Sequence, residues 1–356
     1  MKNKRFNTYL SLLLVIHIVL VQLAQQFPSF VEKYYSNGIY PIISKFLRIL
    51  LGWIPFSFGD VLIAFLLVVF IRFVYRLIKT KFQNFVSKLL QLTAVISLLY
   101  CCFYWFWGFN YFRESLASNL NIQQEKYTTE QLTAVTKQLV KKLNATHTFI
   151  TQNDTTKVVN PYTQQQMYLK ALDGYKNLSI TYPQLTYSYK SVKSSLMSLL
   201  QTYNSTSGYL NPLTGEAQVN DMIPKTGYPT TVCHEMAHQI GWAAENEANF
   251  VGYLAALNNK DSYFKYAAYR MAFGYLVSEL RKHDKEIHRE VILSVNKGVL
   301  KDFKASSEFW NQYQNPIEPL IKKGYNSYLK ANKQSKGIQS YNYVVDLIIS
   351  YENQTP

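Results

Sequence analysis

His234, Glu235 and His238 stand in the run Pro229-Thr230-Thr231-Val232-Cys233-His234-Glu235-Met236-Ala237-His238-Gln239-Ile240-Gly241. On a helix, positions four apart share one face a turn apart, so both imidazoles reach a single metal ion. Glu235 follows the first histidine and addresses a water beside the ion rather than the ion. Zinc brings such a water toward neutral pKa, and the glutamate takes its proton as the water attacks a carbonyl. Thr230 or Thr231, after Pro229, is placed to cap this helix, and Gly241 to end it. With 6 His and 14 Glu in 356 residues, an HExxH pattern arises by chance with a probability of about 0.4%. The pattern is therefore read as a metal site.

A closed structural zinc site takes four protein ligands, whereas a catalytic one takes three and leaves a position open. The segment Ala243-Ala244-Glu245-Asn246-Glu247-Ala248-Asn249-Phe250 begins a second helix just past Gly241. Glu245 and Glu247 differ by about 200° around a helix, so only one faces the histidines. Glu245 is the first choice as third ligand. It shares a face with Ala248, Asn249, Gly252 and Ala256, small enough for close approach to the motif helix, and Asn249 is placed to hydrogen-bond a ligand. Glu247 is the second choice; its face carries Phe250, Val251 and Leu254. The glutamate left over would complement the positive end of its helix. Tyr253, Tyr325 and Tyr328 are candidates for stabilising a developing oxyanion. The chain has 29 Tyr, so residue type alone does not choose among them. Cys233 reads as a small core residue behind the motif. His283 and His288 sit among charges on a solvated helix face, and His17 and His147 stand alone. Three cysteines, two of them adjacent, give neither a disulfide framework nor a cysteine zinc site.

Three apolar runs approach the roughly 20 residues that span a bilayer: Tyr9 to Ala24, Val61 to Val74 with its flanks, and Leu89 to Phe109. Lys2, Lys4 and Arg5 precede the first, and no small-residue cleavage site follows, so it reads as an uncleaved anchor. Arg72, Arg76, Lys79, Lys81 and Lys88 mark the connection between the second and third as cytoplasmic, and with it the N-terminus. An odd number of spans then places everything after Asn110 outside. Tyr104, Trp105, Phe106, Trp107, Tyr111 and Phe112 fit an aromatic belt at the outer interface. The stretch Ile42 to Leu51 is amphipathic, and either lies on the membrane surface or packs on the following domain.

Of the net charge of +15, residues 1–109 carry 11 Lys/Arg against 2 Asp/Glu, and residues 110–356 carry 26 against 20. The excess thus clusters around the apolar runs, where topology explains it, and no basic stripe interleaved with aromatics points to nucleic acid. After Asn110 the chain reads as a mostly helical domain. Thr128-Thr129-Glu130-Gln131 caps a helix continued by Leu132, Val135, Leu139 and Leu143. Met167 to Tyr175 gives another. Val192 to Leu200 is read as a third, with an alternation that leaves its class open. Gly208 to Asn220 reads as a hairpin just before the motif helix, either structural or placed to bind an extended substrate.

Glu245-x-x-Ala248-Asn249 resembles the third-ligand helix of the gluzincin metallopeptidases, with Asn249 where an Asp is usual. Ile54-Pro55-Phe56-Ser57, the run Trp107 to Arg113, HEMAHQIG with ENEANF, and Ser340 to Leu347 resemble a family of bacterial membrane proteins, domain-of-unknown-function family 3810. That resemblance implies a protein of the bacterial inner (cytoplasmic) membrane with a zinc site. The expectation is a mainly α membrane protein: three transmembrane helices in residues 1–109, then a mostly helical, zincin-like α+β domain in residues 110–356. The domain would hold one zinc ion per chain on His234, His238 and Glu245, with Glu235 as general base, and hydrolyse peptide bonds of a peptide or protein substrate. The other readings are a non-catalytic zinc-binding sensor and a membrane scaffold in which the motif is coincidental.

Overall fold

The computed structural model describes residues 2–123 and 126–354. It is mostly helical, 72% by residue. Among the described residues three helices are long and apolar enough to cross a membrane: Arg5–Ala24, Phe58–Lys79 and Phe85–Phe106. Their side chains are largely unburied by protein, as expected where lipid is the solvent. The first and third pack on each other, joined by Ser11 Oγ and Thr93 Oγ1 at 2.7 Å. The third ends sooner than its apolar run. Trp107 leaves helical geometry, and a 3-10 turn, Gly108–Phe112, carries the chain into the next domain.

Between the first two spans lie a π-helix, Val31–Ile39, and an α-helix, Tyr40–Gly52. After residue 126 the core is helical. Thr129–Thr151 begins with the capping box expected at Thr128 and Gln131. It packs on Ser262–His283, while Gln164–Thr181 packs on Glu245–Leu257. The motif helix, Tyr228–Gln239, packs against Glu245–Leu257, Ser262–His283 and Gln164–Thr181, with Val232, Cys233, Met236 and Ala237 fully buried. A three-stranded sheet lies beside it, in the order β1 (Val192–Ser194), β3 (Glu216–Val219), β2 (Gly208–Asn211). β1 runs parallel to β3 and β2 antiparallel to it. The expected hairpin is present, turning at Gly215 with φ +65. The ambiguous stretch after Val192 divides into strand β1 and a short helix, Ser198–Tyr203.

No packing seam falls at position 109/110. Tyr104, Trp107, Phe109, Tyr111 and Phe112 share one apolar cluster with Leu210 of the sheet and Ala243 beyond the motif. The second span is tied to the sheet by its N-terminus, where the unpaired amides of Phe58 and Gly59 donate to the buried Glu216 carboxylate at 3.2 and 2.5 Å. A carboxylate suits the positive end of a helix, and Lys193 pairs with it from β1 at 2.5 Å. Asp60, in the first turn of the same helix, accepts from Ser195 Oγ, Leu196 N and the Tyr209 hydroxyl. The membrane helices and the sheet are one packed structure.

Candidate metal centre

The motif helix opens differently from the sequence reading. Pro229 sits in its first turn, where a missing N–H costs nothing. Thr230 and Thr231 do not cap; both hydroxyls donate back to the Gly227 carbonyl. The helix closes as expected, with Gly241 at φ +91. A side chain there would meet Asn110 Oδ1 and the Tyr40 ring at 3.0 Å, so conformation and space both call for glycine.

His234, His238 and Glu245 converge, with one ligand atom from each lying within 4.8 Å of the others. Glu245 Oε2 is 3.4 Å from His234 Nε2 and 3.6 Å from His238 Nε2. The close approach depends on Gly252, where an added Cβ would lie 3.0 Å from His234 N. The small-residue face inferred for the second helix is therefore the one that meets the motif. Glu247 faces elsewhere. It accepts the Leu116 amide at 2.7 Å, and burial pushes its carboxyl up to about 7.

The cluster fits a divalent metal. His238 Nδ1 lies 2.7 Å from the Trp242 carbonyl, which fixes the proton on Nδ1 and leaves the Nε2 lone pair for a cation. Burial would raise the Glu245 carboxyl, but the two imidazoles hold it well below its usual range, ionised. Burial would lower His238, yet Glu245 holds it up at about 9, so a cation bound at Nε2 would displace a proton there. Two imidazoles and a carboxylate sharing one charge centre are the donor set of an open zinc site. Among the described residues no fourth His, Cys, Asp or Glu joins the group. Glu235 is 3% exposed, and its Oε2 is buried without a hydrogen-bond partner. Burial pushes its carboxyl up, while His234 and His238 draw it down. Asn249 donates to the Tyr275 hydroxyl at 3.2 Å rather than to a candidate ligand.

Further supports surround the cluster, and the candidate Tyr325 is among them as a partner of a ligand. Tyr325 donates to Glu245 Oε1 at 2.6 Å, leaving Oε2 toward the histidines. Among the three candidate tyrosines, Tyr325 and Tyr328 line the cleft over the cluster. Tyr253 lies in the core and donates to Glu352. The carbonyls at the C-terminal end of the motif helix are taken by residues of the membrane part. Trp107 Nε1 donates to His238 O at 3.0 Å. Tyr40 Oη and Ser44 Oγ donate to Gln239 O at 2.9 and 2.8 Å. Arg113, paired bidentately with Glu32 and stacked 3.7 Å over Trp242, donates to Gly241 O. These bonds fix the turn that carries the chain from His238 to Glu245. Tyr325→Phe is expected to loosen Glu245 and weaken zinc binding about 10–100-fold, the usual loss when a ligand's hydrogen-bond partner goes. Competition with a chromogenic chelator measures it.

The cleft above the cluster has a volume of about 1020 Å³. Cys233 is sealed in the core with its thiol pushed up by burial, which removes it as a nucleophile.

An apolar, membrane-inserting N-terminal part, a helical domain and a buried two-histidine, one-glutamate cluster define the class of protein. The chain belongs to the family of proteins of unknown function DUF3810, whose profile matches residues 35–349. Comparison with curated proteins and with solved structures finds no match.

Proposed function

We propose that this chain is a membrane-anchored zinc-dependent peptidase acting outside the cytoplasm. One observation carries the reading. Glu235, its Oε2 buried without a hydrogen-bond partner, accompanies a converging His234, His238 and Glu245 that no fourth ligand closes among the described residues. Bound there, zinc would act as a Lewis acid, polarising a carbonyl and making water acidic enough to attack at neutral pH. Glu235 is the general base: it accepts a proton from the attacking water and passes it to the leaving amine. His234 and His238 supply neutral nitrogen donors, and Glu245 the neutralising charge.

The sheet supports a polypeptide substrate. β2 is an edge strand whose residues Gly208, Tyr209 and Leu210 line the cleft. An extended chain laid along that edge gains backbone hydrogen bonds whatever its side chains. Gly208 brings the strand against the base, since an added Cβ would lie 2.7 Å from Glu235 Oε1. Gly208→Ala is therefore expected to displace Glu235 and lower hydrolysis by at least tenfold while zinc stays bound, measured as the rate on one peptide alongside metal content. The Lys81-bearing connection between the second and third spans is basic, which supports the reading that the opposite, domain-bearing side lies outside.

The test is cleavage of an unstructured peptide pool by the full-length protein in detergent, read by mass spectrometry. Cleavage that a zinc chelator abolishes and added zinc restores supports the reading. Zinc-loaded protein that cuts nothing would favour a zinc-binding sensor.

A further inference from the structure

Three surface segments have their burial inverted. In the helix Tyr40–Gly52, Tyr40, Ser44 and Arg48 are buried, while Ile42 and Phe46 are 71% and 62% exposed. Ile49 and, just beyond the helix, Trp53 continue that outer face, with Trp53 at 77%. In the segment Leu196–Tyr203, Gln201 and Thr202 are buried, while Leu196, Leu199 and Leu200 are more than half exposed. At the start of the helix Glu318–Ala331, Glu318 is buried, and Ile317 and Leu320 are 63% and 71% exposed. Single exposed apolar residues are ordinary on a water-facing surface, but three segments that bury polar groups and present apolar ones are not.

These segments adjoin the outer ends of the spanning helices. Leu196 N donates to Asp60 in the first turn of the second span at 2.7 Å. The helix Ser198–Tyr203 runs from there to Asn315, whose amide donates to Tyr203 O at 2.7 Å. Ser205 donates to Glu318 at 2.5 Å. The helix Glu318–Ala331 then extends about 21 Å at 1.5 Å per residue. Beyond its far end, Asn332 accepts from Tyr104 of the third span at 2.9 Å, and Lys333 donates to Gln25 O just past the first span. The far end of that helix is thus tied directly to membrane helices, and its near end reaches the second span through Ser205 and the helix Ser198–Tyr203. It also carries exposed Lys322, Lys323 and Lys330 against Glu318 alone, the basic and apolar pairing of a helix at an anionic lipid surface.

Two of these segments, together with the end of the third span, border the cleft. Tyr203 is followed by the cleft-lining Asn204 and Ser205, Leu320 by the cleft-lining Ile321 and Lys322, and Trp107 lines the wall where the third span ends. We propose that these three apolar faces are immersed in the bilayer leaflet on the domain's side, so that the cleft opens at the lipid surface and receives membrane-tethered polypeptide. The choice of lipid as occupant rests on continuity with the spanning helices. The substrate class rests on the peptidase reading above, whereas the immersion does not.

The experiment uses full-length protein, its 3 native cysteines replaced by alanine, in vesicles of phosphatidylethanolamine and phosphatidylglycerol. An environment-sensitive fluorophore is attached at Phe46→Cys, Leu200→Cys or Leu320→Cys. The control is Leu293→Cys, itself 79% exposed, on a helix packed against Thr129–Thr151 and Ser262–His283. The three sites are expected to be quenched by spin-labelled lipid and shielded from iodide, and the control the reverse. On a chain with native cysteines, the emission lost on Trp53→Phe is expected to be the part that brominated lipid quenches. Sites quenched by iodide would overturn immersion, and so would sites shielded from both quenchers, which would mark a protein contact instead. In the same vesicles a peptide pool bearing an acyl anchor is expected to be cut at least tenfold faster than the same pool without it. Equal rates with immersed sites would overturn the tethered-substrate part. Failure to cut either pool with zinc bound would defeat the peptidase reading and leave the immersion result standing.

Discussion

Glu235→Gln is expected to remove peptide hydrolysis while zinc remains bound. The fall is on the order of 10²–10⁴-fold, the usual contribution of a general base. Gln keeps the shape of the side chain and fills the same buried space, but offers no group that accepts a proton from water. The other parts of the cleft are untouched: the three candidate ligands contact one another, and Glu235 is not among them. The measurement pairs the rate on one cleaved peptide with metal content of the same sample. Full activity with zinc retained would mean that the proton goes elsewhere, and the assignment of Glu235 would be wrong.

Glu245→Ala is expected to lose zinc, with affinity falling by more than the roughly 100-fold typical of losing a mere hydrogen-bond partner of a ligand. Glu247→Ala is expected to keep it. The difference follows from where the two carboxylates point. Glu245 Oε2 lies between His234 and His238, whereas Glu247 caps the Leu116 amide in a helix leading from the third span. Removing Glu247 leaves that buried donor unpaired and costs about 1–3 kcal/mol of stability. The two variants should therefore separate cleanly, one reading out in metal content and the other in thermal melting. The reverse pattern would exchange their roles.

The part of this site that local spacing encodes was legible in the sequence. Histidines four apart, a glutamate between them and a glycine stop define one helical turn. The 3.6-residue period decides that Glu245 and Glu247 diverge, and the small side chains at Ala248 and Gly252 favour Glu245 for close approach. The apolar runs gave the three long helices, the third ending at Phe106, just before Trp107, whose indole donates to His238 O. What the sequence did not disclose lies in contacts across long separations. Tyr40 reaches Gln239 over 199 positions, and nothing local marks a tyrosine or serine as the anchor of a distant helix end. Tyr325 is one tyrosine among 29. The helix Tyr40–Gly52 was ambiguous because an amphipathic pattern does not say which face meets protein; here the polar face does. β1 is three residues long and lies next to a helix, too short for alternation to show.

The way the membrane part holds the motif helix also decides how the site should be studied. Tyr40, Ser44 and Trp107 satisfy the carbonyls of His238 and Gln239, so a fragment beginning at Asn110 would lack the bonds that fix the turn between the ligands. The most direct test is therefore made on the full-length chain in detergent: metal content by elemental analysis, with X-ray absorption at the zinc edge. The expected result is one zinc per chain, bound by two imidazole nitrogens and carboxylate oxygen, with a light solvent atom completing the shell and no sulfur. A folded, full-length protein that takes up no zinc, or that holds it through sulfur or a fourth protein ligand, would contradict the account.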